Sequence, residues 1–263
     1  MNFDLPSPSE FDPKWAADSA FASYPALCAS LYVAYLEPFL VKSMRRVLDQ
    51  ITDTDLREDV DRFARQEAQH YQQHERFNEL ILSCGYPGLR ERLAVLKEDF
   101  DSFFKVKGDR WCIGFVEGFE SYTSLASINA LKLGLFEHLG TDKRIGLLFK
   151  WHLTEEIEHR HVAHDIYQHL YGDYLFRVRM CFFAQSHIAR FTGDCTKIMS
   201  AFDTDRFDSS YSLTALHRIA TLVSILPIFI KTYMPWHSPH RIKVSDKILE
   251  YSREMTGLAE SVN

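Results

Sequence analysis

Residues 63–78 read FARQEAQHYQQHERFN, sixteen residues without glycine or proline. The spacing of polar and apolar residues in this stretch predicts an α-helix. Because each residue of a helix turns by 100°, Glu67, His70 and His74 lie within about 60° of one another. The stretch therefore predicts a long helix with one carboxylate and two imidazoles on a single stripe.

Helical patterns with few breakers continue on both sides, whereas the alternating pattern of β-strands is nearly absent. We predict a first helix over roughly Leu27–Gln50, with a kink at Pro38, and a second that begins at an N-cap at Asp53 or Thr54 and ends at Cys84. A shorter helix follows over Leu89–Val106, then a long one over Asp109–Gly140 and another from an N-cap at Thr141 or Asp142 to Tyr171. The remaining helices are expected over Tyr174 to about Met199, Ser212–Tyr233 and Val244–Met255. Four helices of about thirty residues with accessory helices are typical of an all-α, up-down four-helix bundle. We expect one domain over residues 1–263, with the bundle at about 27–172 and additional C-terminal helices at about 173–257.

A second glutamate and histidine motif lies in the fourth long helix, where residues 151–159 read WHLTEEIEH. His152, Glu156 and His159 share one helical stripe. Glu155 fits the same stripe, so periodicity leaves the choice between the two glutamates open. This helix is rich in histidine, and three further histidines on its other faces are not expected to bind metal: His161, His164 and His169.

Glutamates also interrupt two apolar runs of the predicted bundle. Glu37 lies in LYVAYLEPFL (31–40), and Glu117 and Glu120 lie in CIGFVEGFESYTSLASI (112–128). Residues in such apolar runs belong to buried helix faces and not to solvated ones, so these glutamate side chains are expected to point into the core. The spacing does not decide between Glu117 and Glu120.

Carboxylates on the core faces of four helices need cations between them, because an isolated buried carboxylate costs several kcal/mol. Oxygen ligands with one imidazole per metal suit iron or manganese better than the sulfur-rich sites that zinc often occupies. One Glu from each of two helices and a Glu-x-x-His from each of the other two is the pattern of di-iron and di-manganese bundles. In this sequence the pattern gives Glu37, Glu67, His70, Glu120, Glu156 and His159, with further candidates for ligands or their neighbours in His74, His152, Glu155 and Glu117.

Four stretches carry a resemblance to known proteins, namely residues 63–78, ESYT (120–123), HLTEEIEHRHVAHD (152–165) and YMPWHSP (233–239). They resemble the ferritin-like di-iron superfamily and, more closely, the bacterial family labelled predicted metal-dependent hydrolase. The resemblance spans about Glu37 to Pro239 and implies a ferritin-like bundle. It also implies that Glu120 and Glu156 are the ligands in preference to Glu117 and Glu155. Ser121 departs from the family pattern, which often has His there.

The function expected from these residues is that of a dinuclear metal enzyme with two iron ions. It would activate O2 to oxidise a small organic substrate by hydroxylation, desaturation or N-oxygenation, with an electron donor as partner. Mixed manganese and iron, manganese, or zinc are the alternative metals. The alternative functions are a metal-dependent hydrolase that uses a metal-bridged water, and a non-catalytic ferritin-like iron-binding bundle.

Composition excludes several other classes of protein. A net charge of −6 gives no field that favours nucleic acid. The five cysteines form no C-x-x-C pair, which argues against a thiolate zinc site and suits a reducing compartment. The longest apolar stretch, Ile219–Ile230, is shorter than the about twenty residues of a membrane span. We expect a cytoplasmic protein without a signal peptide, with a homodimer as an open alternative.

Overall fold

The computed structural model describes residues 3–16, 20–134, 136–137, 141–203 and 226–261, with side chains described outside 20–22 and 256–261. Regular secondary structure in these residues is entirely helical, so the predicted all-α class is confirmed. The helices are α1 (Ala20–Arg46), α2 (Thr54–Ser83), α3 (Leu89–Val106), α4 (Asp109–Leu133), α5 (Lys143–Glu158), α6 (Val162–Leu170), α7 (Tyr174–Phe202), α8 (226–233) and α9 (Asp246–Ser261), with short 3-10 helices at Leu48–Gln50 and Pro239–Arg241.

Side-chain caps fix the start of three helices. Asp53 accepts hydrogen bonds from the backbone N–H groups of Asp55 and Leu56, at 2.9 and 3.1 Å. Asp142 caps α5 in the same way, and Asp173 caps α7. These carboxylates satisfy N–H groups that have no partner within the helix. Of the two N-cap positions predicted for each of α2 and α5, the structure shows Asp53 and Asp142 as the N-caps.

Several predicted helix ends were wrong. α1 begins at Ala20 instead of Leu27, contains Pro25 as well as Pro38, and ends at Arg46 instead of Gln50. α4 ends at Leu133 and not at Gly140, because Gly134 adopts a left-handed conformation with φ +61° and closes the helix.

The fourth long helix is the largest difference from the sequence prediction. Instead of running unbroken to Tyr171, it ends as α5 at Glu158, and the chain turns at residues 159–161 before α6. His159 is the C-cap of α5 and has a non-helical backbone. No glycine or proline marks this break, so tertiary packing determines it. Among the C-terminal predictions, α7 continues to Phe202, α9 begins at Asp246, and most of Ser212–Tyr233 lies outside the described residues.

Packing arranges these helices around one large apolar cluster that includes residues from Phe3 to Met255. α1 lies against α2, α3, α4 and α7, while α4 lies against α5, α6 and α7. A smaller cluster at Ile128, Leu131, Ile157 and Ile248 joins α9 to α4 and α5. The faces of α1, α2, α4 and α5 that meet at the interior carry the glutamates predicted as ligands.

One helix, α1, meets the length and composition of a membrane span among the described residues. The segment is Ser23–Arg46, and 72% of its most apolar window is buried inside the fold. Its apolar side chains therefore serve the packing of the core.

The backbones of α4 and α7 approach each other closely at Gly118. A Cβ atom at this position would lie 2.7 Å from Cys181 Cα and 2.8 Å from Cys181 N. Gly118→Ala is therefore expected to destabilise the fold by about 1–3 kcal/mol, since the backbones must separate. The matched control is Gly193→Ala on α7, where a Cβ meets nothing within 4 Å and should add about 0.5–1 kcal/mol. Urea unfolding of both variants checks this prediction, and equal stability of the two would contradict it.

Candidate metal centre

Side chains from four helices meet in the interior between α1, α2, α4 and α5. Every one of them is at most 4% exposed, although all are charged or polar. They are Glu37 on α1, Glu67, His70 and His74 on α2, Glu120 on α4, His152 and Glu156 on α5, and His159 at its C-cap. The structure thus brings together residues that lie up to 122 positions apart in the chain, from Glu37 to His159.

Four of these residues form what we term the first group: Glu67, His70, Glu156 and His159. One ligand atom from each lies within 4.8 Å of the others. His70 Nδ1 is 3.7 Å from Glu67 Oε2 and 3.7 Å from Glu156 Oε1. His159 Nε2 is 3.2 Å from Glu67 Oε1. Both predicted Glu-x-x-His pairs therefore meet at one point.

The second group consists of Glu37, His74 and His152, whose ligand atoms also lie within 4.8 Å of one another. His74 Nε2 is 2.9 Å from His152 Nδ1, and His152 Nδ1 is 3.9 Å from Glu37 Oε1. His152 Nε2 lies 3.3 Å from Glu156 Oε1. Because Glu156 belongs to the first group, this contact makes the two groups neighbours. Glu120 lies at the edge of the first group, with Oε2 4.0 Å from His159 Nδ1.

Many polar atoms of this interior have no hydrogen-bond partner among the described residues. They are both carboxylate oxygens of Glu37 and of Glu67, Oε2 of Glu120 and of Glu156, Nδ1 of His70, and both ring nitrogens of His159. Each unsatisfied buried polar group costs about 1–3 kcal/mol, and more when it is charged. So many orphaned acceptors in one place indicate that a cation belongs between them.

Burial shifts the pKa values of these residues in the direction that disfavours their charged forms. Burial first, and then the charge of Glu67, raise the pKa of Glu37 and of Glu120 well above the ordinary value. Burial and the neighbouring carboxylates raise the pKa of Glu156 in the same way. Burial and the nearby His70 lower the pKa of His74 to about 3. Without added positive charge, the interior therefore disfavours the ionised carboxylates.

The donor set fits a metal ion. It offers carboxylate oxygen and imidazole nitrogen without sulfur, and every donor is buried. Such ligands suit iron, manganese or zinc. The residues present are thus chemically sufficient for the metal centre that the sequence predicted, and they leave the identity of the metal open.

The structure separates Glu155 from Glu156. Glu155 Oε1 accepts a hydrogen bond from Trp151 Nε1 at 2.7 Å, and Oε2 accepts one from His70 Nε2 at 3.0 Å. Both of its oxygens thus have donors on the outer side of His70. Glu156 points into the first group instead.

Glu117 and Glu120 are separated in a similar way. Glu117 Oε1 accepts hydrogen bonds from Ser121 Oγ at 2.8 Å, from His164 Nδ1 at 3.2 Å and from Arg177 Nη1 at 3.2 Å. Burial raises the pKa of Glu117, but His164 and Arg177 outweigh burial and hold this pKa below the ordinary value. Glu117 is thus a paired carboxylate, whereas Glu120 faces the first group.

The other histidines of this region lie away from both groups. His164 is buried against Glu117, His161 Nε2 lies 3.4 Å from Asp59 Oδ2, and His169 contacts Thr52. Sequence reasoning missed Ser30, which contacts His74, and Asn78, which contacts Ser30. Asn78 follows His74 by one helical turn and so shares its stripe, which is a signal that could have identified it. No comparable pattern identifies Ser30.

Comparison with known proteins places the chain in a family. Residues 1–242 match the profile of the family described as predicted metal-dependent hydrolase. No match was found among curated proteins or among solved structures. Because the matched region covers most of the sequence and contains both groups, this chain belongs to the predicted metal-dependent hydrolase family.

Proposed function

We propose that this protein is a metal-dependent hydrolase whose centre is built on the first group. The observation that carries the proposal is the convergence of orphaned carboxylate oxygens and imidazole nitrogens in the interior of a chain of this family. Family membership favours hydrolysis over the oxidation by O2 that the sequence suggested. A ferritin-like ancestry of the bundle remains a hypothesis.

In this proposal Glu67, His70, Glu156 and His159 are metal ligands, and Glu37 and Glu120 add carboxylates. The ions, two by the sequence prediction, would be iron, manganese or zinc. When bound, a divalent metal ion would lower the pKa of a water molecule and polarise the carbonyl or phosphoryl oxygen of a substrate.

Glu155 is a positioning residue in this scheme. Its Oε2 accepts the Nε2–H of His70, so that the lone pair of His70 Nδ1 turns toward Glu67 and Glu156. A carboxylate behind a ligating imidazole fixes the ring and makes it more basic. Trp151 in turn holds Glu155 through its indole N–H.

Aromatic side chains keep the ligand rings in place and exclude water from them. Phe63 meets the ring of His159 edge to face, with centroids 4.6 Å apart. Trp151 meets the ring of His70 in the same manner at 4.9 Å. A dry surrounding strengthens every charge interaction inside the site.

The proposal is tested by metal analysis of the purified full chain together with hydrolysis assays. The substrates are a panel of aryl esters, anilides and aryl phosphate esters, assayed before chelation, after chelation and after addition of zinc, manganese or iron. We expect metal-dependent turnover of at least one substrate class. No turnover of any class, combined with a transient visible absorption when the Fe(II)-loaded protein meets O2, would overturn the proposal in favour of oxidation.

A second candidate function is oxidation of a substrate by O2, and the carboxylate-rich donor set is the one observation that favours it. Four buried glutamates meet here with two Glu-x-x-His pairs, which is the ligand pattern of di-iron bundles. An electron donor would be required in that case. Reaction with O2 distinguishes the two functions, because hydrolysis consumes none.

Removal of the metal is expected to lower thermal stability. A ligand present at about 100 times its Kd stabilises the folded chain by about 2.7 kcal/mol, which corresponds to about 5–10 °C in Tm for a chain of this size. Differential scanning calorimetry with and without a chelator measures this shift, and re-addition of the metal should restore Tm. An unchanged Tm would mean that the interior holds no stoichiometric ion.

A further inference from the structure

We infer that the second group holds a metal ion of its own, and that Ser30 and Asn78 fix His74 for this role. The inference rests on the proposed function and specifies the ligands of the second ion. It depends on a chain of hydrogen bonds that starts at Asn78 and ends at the imidazole of His74.

The orientation of Asn78 determines which way the Ser30 hydroxyl points. Asn78 Nδ2 donates to the backbone carbonyl of Ser30 at 3.1 Å, which leaves Oδ1 as the atom that faces the hydroxyl. Ser30 Oγ lies 2.7 Å from this oxygen and donates to it. A hydroxyl has a single hydrogen, so Ser30 Oγ accepts every further hydrogen bond that it makes.

This fixes the tautomer of His74. His74 Nδ1 lies 2.8 Å from Ser30 Oγ, which accepts here, and Nδ1 must therefore carry the ring proton. Nε2 is left with its lone pair. Metal-ligating histidines usually donate one N–H to an outer partner and turn the other nitrogen to the ion, and His74 has this arrangement.

The lone pair of His74 Nε2 points at the other members of the second group. His74 Nε2 lies 2.9 Å from His152 Nδ1, close to the about 3.0 Å between two ligands that each lie about 2.1 Å from one ion and are at right angles to each other. A hydrogen bond from His152 could also span this distance in the absence of metal. It would leave both oxygens of Glu37 without a partner, and a cation would satisfy them.

Burial supports a specific role for this chain of hydrogen bonds from Asn78 through Ser30 to His74, which we term the relay. Ser30 is fully buried, Asn78 is 7% exposed, and His74 is 1% exposed, so that water does not complete their hydrogen bonds. A buried polar network of this kind is stable only when every member has a partner. Within the second group, the atoms that lack one are those of Glu37.

Two measurements on the full chain test the inference. The first is the tautomer of His74, read from two-bond ¹⁵N–¹H correlations of histidine-labelled protein without metal, where we expect the Nδ1–H form. The second is calorimetric titration of the full chain with Zn²⁺ after a chelator has removed its metal, where we expect the protein to bind about two equivalents. Neither measurement depends on catalytic activity.

Three variants distinguish the relay from a packing role. Ser30→Ala removes the acceptor of His74 Nδ1–H. We expect it to lower the affinity for the second equivalent of Zn²⁺ about 10–100-fold and to leave the affinity for the first equivalent unchanged. Asn78→Leu should have the same effect, whereas Asn78→Asp keeps an acceptor for the Ser30 hydroxyl and should retain most of the binding. Ser43→Ala, a buried serine further along α1, is the matched control and should bind two equivalents.

The outcomes separate this inference from the proposed function. Two equivalents of equal affinity in wild type and in Ser30→Ala, or an Nε2–H tautomer of His74, would overturn the relay and leave the metal centre standing. A single equivalent in wild type that is lost in Glu67→Gln would overturn the second position alone. No binding at all would overturn the inference together with the proposed function.

Discussion

Glu67→Gln is expected to weaken metal binding at least about 100-fold, since loss of an outer partner of a ligand alone costs 10–100-fold. Glu67 is central to the first group, because Oε1 faces His159 and Oε2 faces His70. A carboxamide has the same shape but carries no charge and offers one acceptor oxygen in place of two. Turnover of any hydrolysed substrate should fall with metal content, which metal analysis and steady-state assays measure in parallel.

The same substitution is expected to stabilise the metal-free chain. The charge of Glu67 is a cause of the raised pKa values of Glu37, Glu120 and Glu156, which means that the carboxylates repel one another. Removal of one charge from a buried like-charged cluster should raise the free energy of unfolding by about 1 kcal/mol. Urea unfolding with and without metal therefore gives effects of opposite sign.

Glu79→Gln is the matched control, because Glu79 is an exposed glutamate on the same helix. It should leave the metal content unchanged and alter the free energy of unfolding by no more than about 0.5 kcal/mol. If Glu67→Gln retained full metal content, the first group would not be the metal centre. If it destabilised the metal-free chain, the attraction between Glu67 and His70, whose pKa Glu155 and Glu67 raise against the effect of burial, would outweigh the repulsion among the carboxylates.

The helices could be predicted from the sequence because their signals are local. Helical periodicity, the N-cap carboxylates Asp53 and Asp142, and the glycine and proline after α2 all act within a few residues. The break after Glu158 could not be predicted in this way. It depends on the interior position of His159 and on the contact of His164 with Glu117, both of which involve distant helices.

The candidate site was predictable to the level of the helical stripe. Helical periodicity gives the direction of a side chain around the helix axis only to within about 100°, which is the rotation between successive residues. It therefore cannot distinguish adjacent residues such as Glu155 and Glu156. The decision depends on partners supplied by other residues, here Trp151 and His70 for Glu155. Glu117 could not be distinguished from Glu120 for the same reason, since its partner Arg177 lies sixty residues further along the chain.

Arg177→Met is expected to destabilise the fold by about 3–5 kcal/mol without loss of metal. Arg177 is 2% exposed, donates to Glu117 and also donates through Nη2 to the backbone carbonyl of Met234 at 3.1 Å. Breaking a buried pair by removing one partner leaves an uncompensated charge, which accounts for the large effect. A decrease in Tm of about 6–20 °C should accompany it.

This loss is expected to depend on pH in a specific direction. The pKa of Glu117 is held below its ordinary value of 4.5, so its ionised form stabilises the fold above that pH, and this contribution is lost as pH falls through the lowered pKa. Without Arg177, burial has less opposition and the carboxyl protonates more readily. The difference in unfolding free energy between wild type and variant should therefore shrink from pH 7 to pH 4.

Arg179→Met is the control for this experiment, because Arg179 is exposed on the same helix and should change stability by less than about 0.5 kcal/mol. The double variant Glu117→Gln with Arg177→Met should recover part of the lost stability, since it removes the unpaired charge. Urea midpoints at pH 7, 5 and 4 and metal analysis of each variant measure these effects. Loss of metal from Arg177→Met at full folding would place Glu117 among the groups that bind the ion, and a pH-independent difference would show that Glu117 is not the residue left unpaired.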